Sequence, residues 1–360
     1  MIRRVTRLSA PVPAAPPAAS APAAHASDLG LAASDLAPSA ADPGLSASDF
    51  KLDSIDLYIT SRCNRRCSYC FLPDAYFDRT QHMTPAAVAA IVAWAAGAAT
   101  EITVLGGEPA LHPQFTSIVR DTAATPIRVR TVTNGSRQFR AALPEVRSSL
   151  SRVAVSLDAP SAAVVDRLRG RGAFADAVAT VADLRAAGVP FDLNCTVLAD
   201  TVDLVPEMLA YAEDSGAGRL NMHWFSPVGR GASHAADQSV PAAAWRREVL
   251  DVVAAYRPAR QSFTVDCQIA FDFPVPGADP GACAVQDRTN LQFLPSGAVF
   301  ACGMLLEDET LAAYHWHDGV LMRRSGDTEL SRTAPACAGC PLRPSDGDHH
   351  PTCIYNRLAV

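Results

Sequence analysis

The stretch Cys63-Asn64-Arg65-Arg66-Cys67-Ser68-Tyr69-Cys70 follows directly on a strand-like apolar run at residues 55–60, and its reading decides the fold. Its three cysteines are spaced as CX3CX2C. Such spacing lets three thiolates from one loop converge on a single face of a cubic iron-sulfur cluster, leaving the fourth iron without a protein ligand. An iron left open can do chemistry. The competing reading is a structural zinc site, which needs a fourth Cys or His close by. The nearest candidate, His82, lies twelve residues past Cys70, across Pro73 and Asp74.

With aromatic Tyr69 just before the last cysteine, the motif resembles that of the radical S-adenosylmethionine (SAM) superfamily. The resemblance implies that Cys63, Cys67 and Cys70 hold a [4Fe-4S] cluster whose free iron is chelated by SAM. It also implies reductive cleavage of SAM to a 5'-deoxyadenosyl radical that abstracts hydrogen from substrate. A flavodoxin- or ferredoxin-type protein would supply the electron.

The 360 residues allow two compact domains, and 49% apolar residues suffice for their cores. A net charge of -6 without a basic block argues against a nucleic-acid partner. Arginine makes up all but one of the 31 basic residues, which reads as coding bias. Ten cysteines are too few for a disulfide scaffold, and nine of them fall into two groups, so metal binding in a reducing, cytoplasmic setting fits better. The longest apolar run, residues 86–99, is too short to span a bilayer.

Residues 1–50 read as a disordered Ala/Pro-rich tail with repeated Ser-Asp phrases and no apolar periodicity. Arg3, Arg4 and Arg7 hint at a targeting peptide, but Pro11, Pro13, Pro16 and Pro17 interrupt any apolar segment. The tail lacks the alternating pattern of the leader-binding module that some radical SAM peptide enzymes carry there.

From 51 to 257, short apolar runs alternate with Ala-rich helical patterns, as expected of βα units building a parallel sheet. Strands are expected at 55–60, 101–105, 127–133, 152–157, 191–197 and 219–225. Thr84-Pro85 supplies an N-cap and first-turn proline for one helix, and Gly188 closes another begun near Ala173. This α/β pattern matches the partial (βα)6 TIM-like barrel of the radical SAM core.

Chemistry in such folds gathers at the carboxyl ends of strands. The second strand ends in Gly106-Gly107-Glu108-Pro109, where paired glycines permit close backbone approach and the carboxylate can face an ammonium group. Its position matches the family's GGEP motif, which holds the amino group of SAM. The resemblance further points to Asn134 in Thr133-Asn134-Gly135, to Ser156 and Asp158 at the end of the fourth strand, to Asn194 on the fifth, and to Arg230 in Pro227-Val228-Gly229-Arg230-Gly231. At Ser156-Leu157-Asp158 the usual following glycine is replaced by Ala159-Pro160. Each of these has an ordinary core or turn role as its alternative. Arg230 could pair with a carboxylate. Cys195, alone on the fifth strand, is either a small buried hydrophobe or, as in radical SAM epimerases, the thiol that returns a hydrogen atom to a substrate radical.

Beyond 257 the alternation stops, and a second domain is expected over 258–360 with Cys267, Cys283, Cys302, Cys337, Cys340 and Cys353. Residues 291–302 read as a hairpin turning at Ser296-Gly297. The CX13GX4C arrangement from Cys283 to Cys302, followed by Cys337 and Cys340, resembles the SPASM and Twitch extensions of the superfamily. The resemblance implies an auxiliary [4Fe-4S] cluster on Cys283, Cys302, Cys337 and Cys340, with a zinc ribbon as the alternative. Two further cysteines of the full SPASM set are replaced by Asp346 and His350, which favours a single-cluster, Twitch-like domain. Cys267 and Cys353 are left as free thiols or as ligands of a second cluster with His349 or His350. The expected activity is peptide maturation by cross-linking, oxidation or epimerisation. Dehydrogenation of a small alcohol or aminosugar comes second, sulfatase maturation third, and a non-catalytic iron-sulfur electron carrier is the reading from another class.

Overall fold

The computed structural model describes residues 44–268, 290–301, 303–306, 308–324 and 357–359. Its centre is a run of parallel strands: β1 (Ser54–Tyr58), β2 (Glu101–Leu105), β3 (Arg128–Thr133), β4 (Arg152–Ser156), β5 (Phe191–Val197) and β6 (Arg219–Trp224), paired in that order. Between them run helices, in chain order α1 (Asp74–Asp78), α2 (Pro85–Ala95), α3 (Phe115–Ala123), α4 (Arg137–Val146), α5 (Ala162–Arg169), α6 (Ala173–Ala187) and α7 (Val205–Asp214). Local chemistry sets their ends. Thr84 accepts a hydrogen bond from the Ala87 amide with Pro85 in the first turn, and Gly188 closes α6 with φ of 66°.

The two faces of the sheet differ sharply. Ile55, Leu57, Ile102, Val104, Val153, Val155, Leu193 and Leu220 are fully buried in one core with the inner faces of the helices. Each such side chain contributes about 2 kcal/mol on leaving water. The alternate positions, Asp56, Thr103, Arg130, Ser156, Asn194 and Thr196, remain partly exposed. A parallel sheet covered on both faces would be apolar on both. Here the second face is concave: Arg130 on β3 lies 3.7 Å from Asp192 on β5, reaching across β4 where Ala154 is small. The result is the water-accessible polar interior of an open (βα)6 barrel.

The sheet does not stop at residue 257. β7 (Thr264–Gln268) pairs in parallel with β6, and β8 (Asn290–Phe293) pairs in parallel with β1, so the boundary expected at 257 and 258 is crossed by the sheet. Both edges of the six-stranded core are thereby covered. β8 turns through Gly297, at φ 88°, into antiparallel β9 (Ala298–Phe300), followed by β10 (Tyr314–His317) and β11 (Val320–Arg323). β12 (Arg357–Ala359) runs antiparallel to β7. Within the expected tail, residues 44–50 are packed: Leu45 bridges to Leu321, Ser46 and Asp49 form a capping box, and the Phe50 ring meets Trp94 and Tyr314 edge-on. The Ser-Asp phrase there is a helix-start signal. Residues 1–43, and Cys283, Cys302, Cys337, Cys340 and Cys353, lie outside the described residues. Among the described residues, no helix is long and apolar enough to cross a membrane.

Candidate active site

The loop after β1 carries Cys63, Cys67 and Cys70, all free and half-buried. The glycine pair after β2 is wedged beneath it. The Gly107 amide donates to Thr60 O at 2.9 Å and the Glu108 amide to Arg62 O at 2.8 Å. A Cβ at Gly107 would sit 2.5 Å from Arg62 O and 2.8 Å from Cys63 Cβ, and one at Gly106 would sit 2.6 Å from Thr60 O. No other residue type fits that approach. Asn134 ties the ensemble together: its side-chain amide donates to Asn64 Oδ1 at 2.9 Å and to Cys63 Sγ at 3.7 Å.

Burial pushes the Cys63 thiol up to about 12 and the Cys70 thiol to about 11, and raises that of Cys67. Neighbouring thiolate charge adds to the effect at Cys63 and Cys70. Three crowded thiols that resist ionisation alone are a site for cationic iron, which replaces their protons. Among the described residues, no three His, Cys, Asp or Glu side chains are gathered closely enough to hold a single ion. A cubic cluster instead presents three separate irons, and the thiolate donor set with its glycine cradle fits it.

Glu108 is fully buried, and its carboxylate is already engaged. Thr133 Oγ1 donates to Oε1 at 2.7 Å, Ser136 Oγ to the same oxygen at 3.2 Å, and the Asn134 amide to Oε2 at 2.8 Å. Burial nevertheless outweighs these donors and pushes the carboxyl up to about 7. With its folded pKa above its unfolded one, Glu108 gives stability that is complete below the unfolded pKa and declines as pH rises through the folded value. For the cluster-free protein we expect unfolding free energy to fall by ~3 kcal/mol between pH 5 and 8, a loss that Glu108→Gln removes. Urea titrations at several pH values check this.

Asp158 lies inside the protein. Its carboxylate accepts Arg169 Nε at 2.6 Å and Nη2 at 2.8 Å, the Thr196 amide at 3.0 Å, and the Tyr69 hydroxyl. The Arg169 guanidinium also lies over the Tyr69 ring, 5.3 Å from its centroid. Asp158, expected at the cofactor, has its acceptors taken up by Arg169, Thr196 and Tyr69, and through Tyr69 it holds the turn between Cys67 and Cys70. Arg230 holds the same turn from the other side, donating to Asp74 at 2.6 Å and to Cys67 O at 3.4 Å. The Gly231 amide donates to Cys70 O at 3.0 Å. Gly229, at φ 58°, approaches so closely that a Cβ there would lie 2.1 Å from Phe71 O.

Cys195 is placed as the small buried side chain that was one of its two readings. It sits on the helix-facing side of β5, buried among Leu193 and Val197, and its thiol donates to Asp158 O at 3.3 Å. The polar interior is on the other side of the strand. Cys267 on β7 is likewise fully buried in the core. Ser156 and Asn194 do face the interior, at one level with Asn221 and Asp266, and Asn221 Nδ2 donates to Asn194 Oδ1 at 2.7 Å. Asn221, Asp266 and Arg169 carried no signal of their own in the sequence reading, and Tyr69 was read only as part of the cysteine motif. The period-2 polar alternation of β5, β6 and β7 was the available signal for the first two.

A three-cysteine loop over a glycine wedge, at the carboxyl ends of parallel strands around a polar interior, defines a radical SAM domain. Residues 57–212 match the family model of the radical SAM superfamily, whose members use a [4Fe-4S] cluster and SAM. It is 29% identical over 299 residues to mycofactocin maturase MftC of Mycolicibacterium smegmatis, covering 78% of this chain and 74% of the relative. To the PqqA peptide cyclase of Xanthomonas campestris pv. campestris it is 27% identical over 316 residues, covering 81% and 80%. The fold resembles that of Streptococcus suis SuiB bound to the precursor peptide SuiA, with a TM-score of 0.59 at 15% identity over 80% of this chain and 66% of that one.

Proposed function

We propose that this enzyme modifies a ribosomally made peptide by a reaction that begins with abstraction of a substrate hydrogen atom. The observation that carries it is the row of partly exposed polar side chains on the inner face of the sheet, Thr103, Arg130, Ser156, Asn194 and Thr196, at whose upper end the cysteine loop sits. The relatives named above as a peptide cyclase and as a protein bound to a precursor peptide support the same reading.

In this reading Cys63, Cys67 and Cys70 hold the cluster. When bound, cluster and SAM would together supply a 5'-deoxyadenosyl radical, the electron that enters through the cluster being consumed in breaking the sulfur–carbon bond of SAM, with methionine as the other product. Because the Glu108 carboxylate is engaged by Thr133, Ser136 and Asn134, the backbone of Gly106-Gly107-Glu108-Pro109 is left to meet the amino group of SAM. Asn134, Ser156 and Asn194 line the path to substrate. Arg230 and the Tyr69-Asp158-Arg169 network keep the loop rigid, which holds the reacting groups in place. Cys283, Cys302, Cys337 and Cys340 carry an auxiliary cluster, and a cytoplasmic flavodoxin or ferredoxin is the donor.

Anaerobically reconstituted enzyme with dithionite and SAM is expected to release 5'-deoxyadenosine, seen by liquid chromatography. With a candidate precursor peptide, the peptide mass should change. Deoxyadenosine with no peptide product, but with oxidation of a small alcohol, would replace the peptide reading. No deoxyadenosine under any reductant would remove the radical chemistry itself.

A further inference from the structure

At the end of the barrel opposite the cysteine loop, the first residues of several strands close around a cavity of about 310 Å3. Arg128, Arg130, Arg152 and Arg219 line it, with Glu101 and Asp192. Arg130 binds Glu101 at 3.0 Å and Arg128 lies 3.5 Å from the same carboxylate. Arg152 binds Asp192 Oδ1 at 2.6 Å, and Arg219 binds Asp266 at 3.0 Å. Among the described ion pairs, four guanidiniums meet three carboxylates. An ion-pair plug built only to close the barrel would satisfy every buried group. This one does not. The Asp192 side chain is 0% exposed, yet its Oδ2 accepts no hydrogen bond and meets Arg130 Nη2 only as an ion pair at 3.7 Å.

The floor therefore asks for two things at once: an anionic group for the arginines and a nearby N–H donor for Asp192 Oδ2. The last residue of a peptide carries both, a carboxylate and an N–H on adjacent bonds. A guanidinium fork suits the carboxylate. We propose that this cavity binds the carboxyl-terminal residue of the substrate peptide, an assignment that rests on the peptide reading above. From Glu101 at the floor to Gly106 beneath the cysteine loop, the strand rise of about 3.3 Å per residue gives roughly 17 Å, or about five residues of extended peptide. The modified position then lies within about five residues of the peptide's carboxyl terminus.

Calorimetric titration of the reconstituted full chain at low salt tests the site with N-acetylalanine, N-acetylalaninamide, acetate and alanine. No SAM or reductant is present, so the result is independent of the deoxyadenosine assay. N-acetylalanine should bind in the millimolar range, at least tenfold tighter than the amide and severalfold tighter than acetate. Arg152→Gln should weaken it at least tenfold. Because that change strips a partner from buried Asp192, Arg128→Gln at the exposed rim serves as the second variant, with a severalfold loss expected and the fold kept. Equal binding of acid and amide, or undiminished binding in both variants, would overturn the proposal. Acetate binding as tightly as N-acetylalanine would remove the role of Asp192. Tighter binding of alanine would assign the floor to a free amino acid instead of a peptide end.

Discussion

In a variant with Cys63, Cys67 and Cys70 all changed to alanine, 5'-deoxyadenosine formation is expected to fall below detection, while about four irons per chain survive anaerobic reconstitution. The loss follows from geometry. The three thiols hang on one loop seated on Gly106 and Gly107, and no side chain among the described residues stands ready to replace them. The surviving iron is that expected on Cys283, Cys302, Cys337 and Cys340. Seven or eight irons would bring in a second auxiliary cluster, which requires ligands such as Cys353. Loss of all iron, with zinc in its place, would sink the auxiliary cluster and leave a single-cluster enzyme. Iron and zinc analysis beside the deoxyadenosine assay separates the three outcomes.

Arg169→Ala is expected to cost about 3–5 kcal/mol of stability. Its side chain and that of Asp158 are 9% and 0% exposed, so removal of the guanidinium strands a buried carboxylate. The Tyr69 hydroxyl and the Thr196 amide remain as donors but bring no charge. A double variant, Asp158→Asn with Arg169→Met, should recover most of the loss, because no charge is then left buried. Denaturant unfolding of the three proteins checks both statements. A cost under about 1 kcal/mol for the single change would mean the pair is solvated. SAM cleavage should fall in the double variant as well, since Tyr69 loses the charged partners that hold the turn between Cys67 and Cys70.

The two networks explain why some site residues were legible in the chain and others were not. CX3CX2C and Gly106-Gly107-Glu108-Pro109 are local patterns, because three thiols on one loop and a glycine wedge each need a fixed spacing. Thr84-Pro85 and Gly188 marked helix ends for the same reason, as each acts on its own backbone. Arg169 lies 99 residues from Cys70, and nothing local connects it with Tyr69. Asp158 was singled out by its position at a strand end and Cys195 as a lone thiol on a strand, but whether such a residue faces the interior depends on parity within the strand and on register with its neighbours.

By itself, then, the sequence determined the parallel βα order, the cluster loop and its glycine cradle, because each is marked by a pattern of residues close in the chain. Only the tertiary structure decided that β7 and β8 extend the sheet past both edges of the core, that Glu108 and Asp158 spend their carboxylates inside, and that four arginines from β3, β4 and β6 meet at the barrel floor. Those outcomes come from strand pairing and the curvature of the sheet, which bring together side chains far apart in sequence.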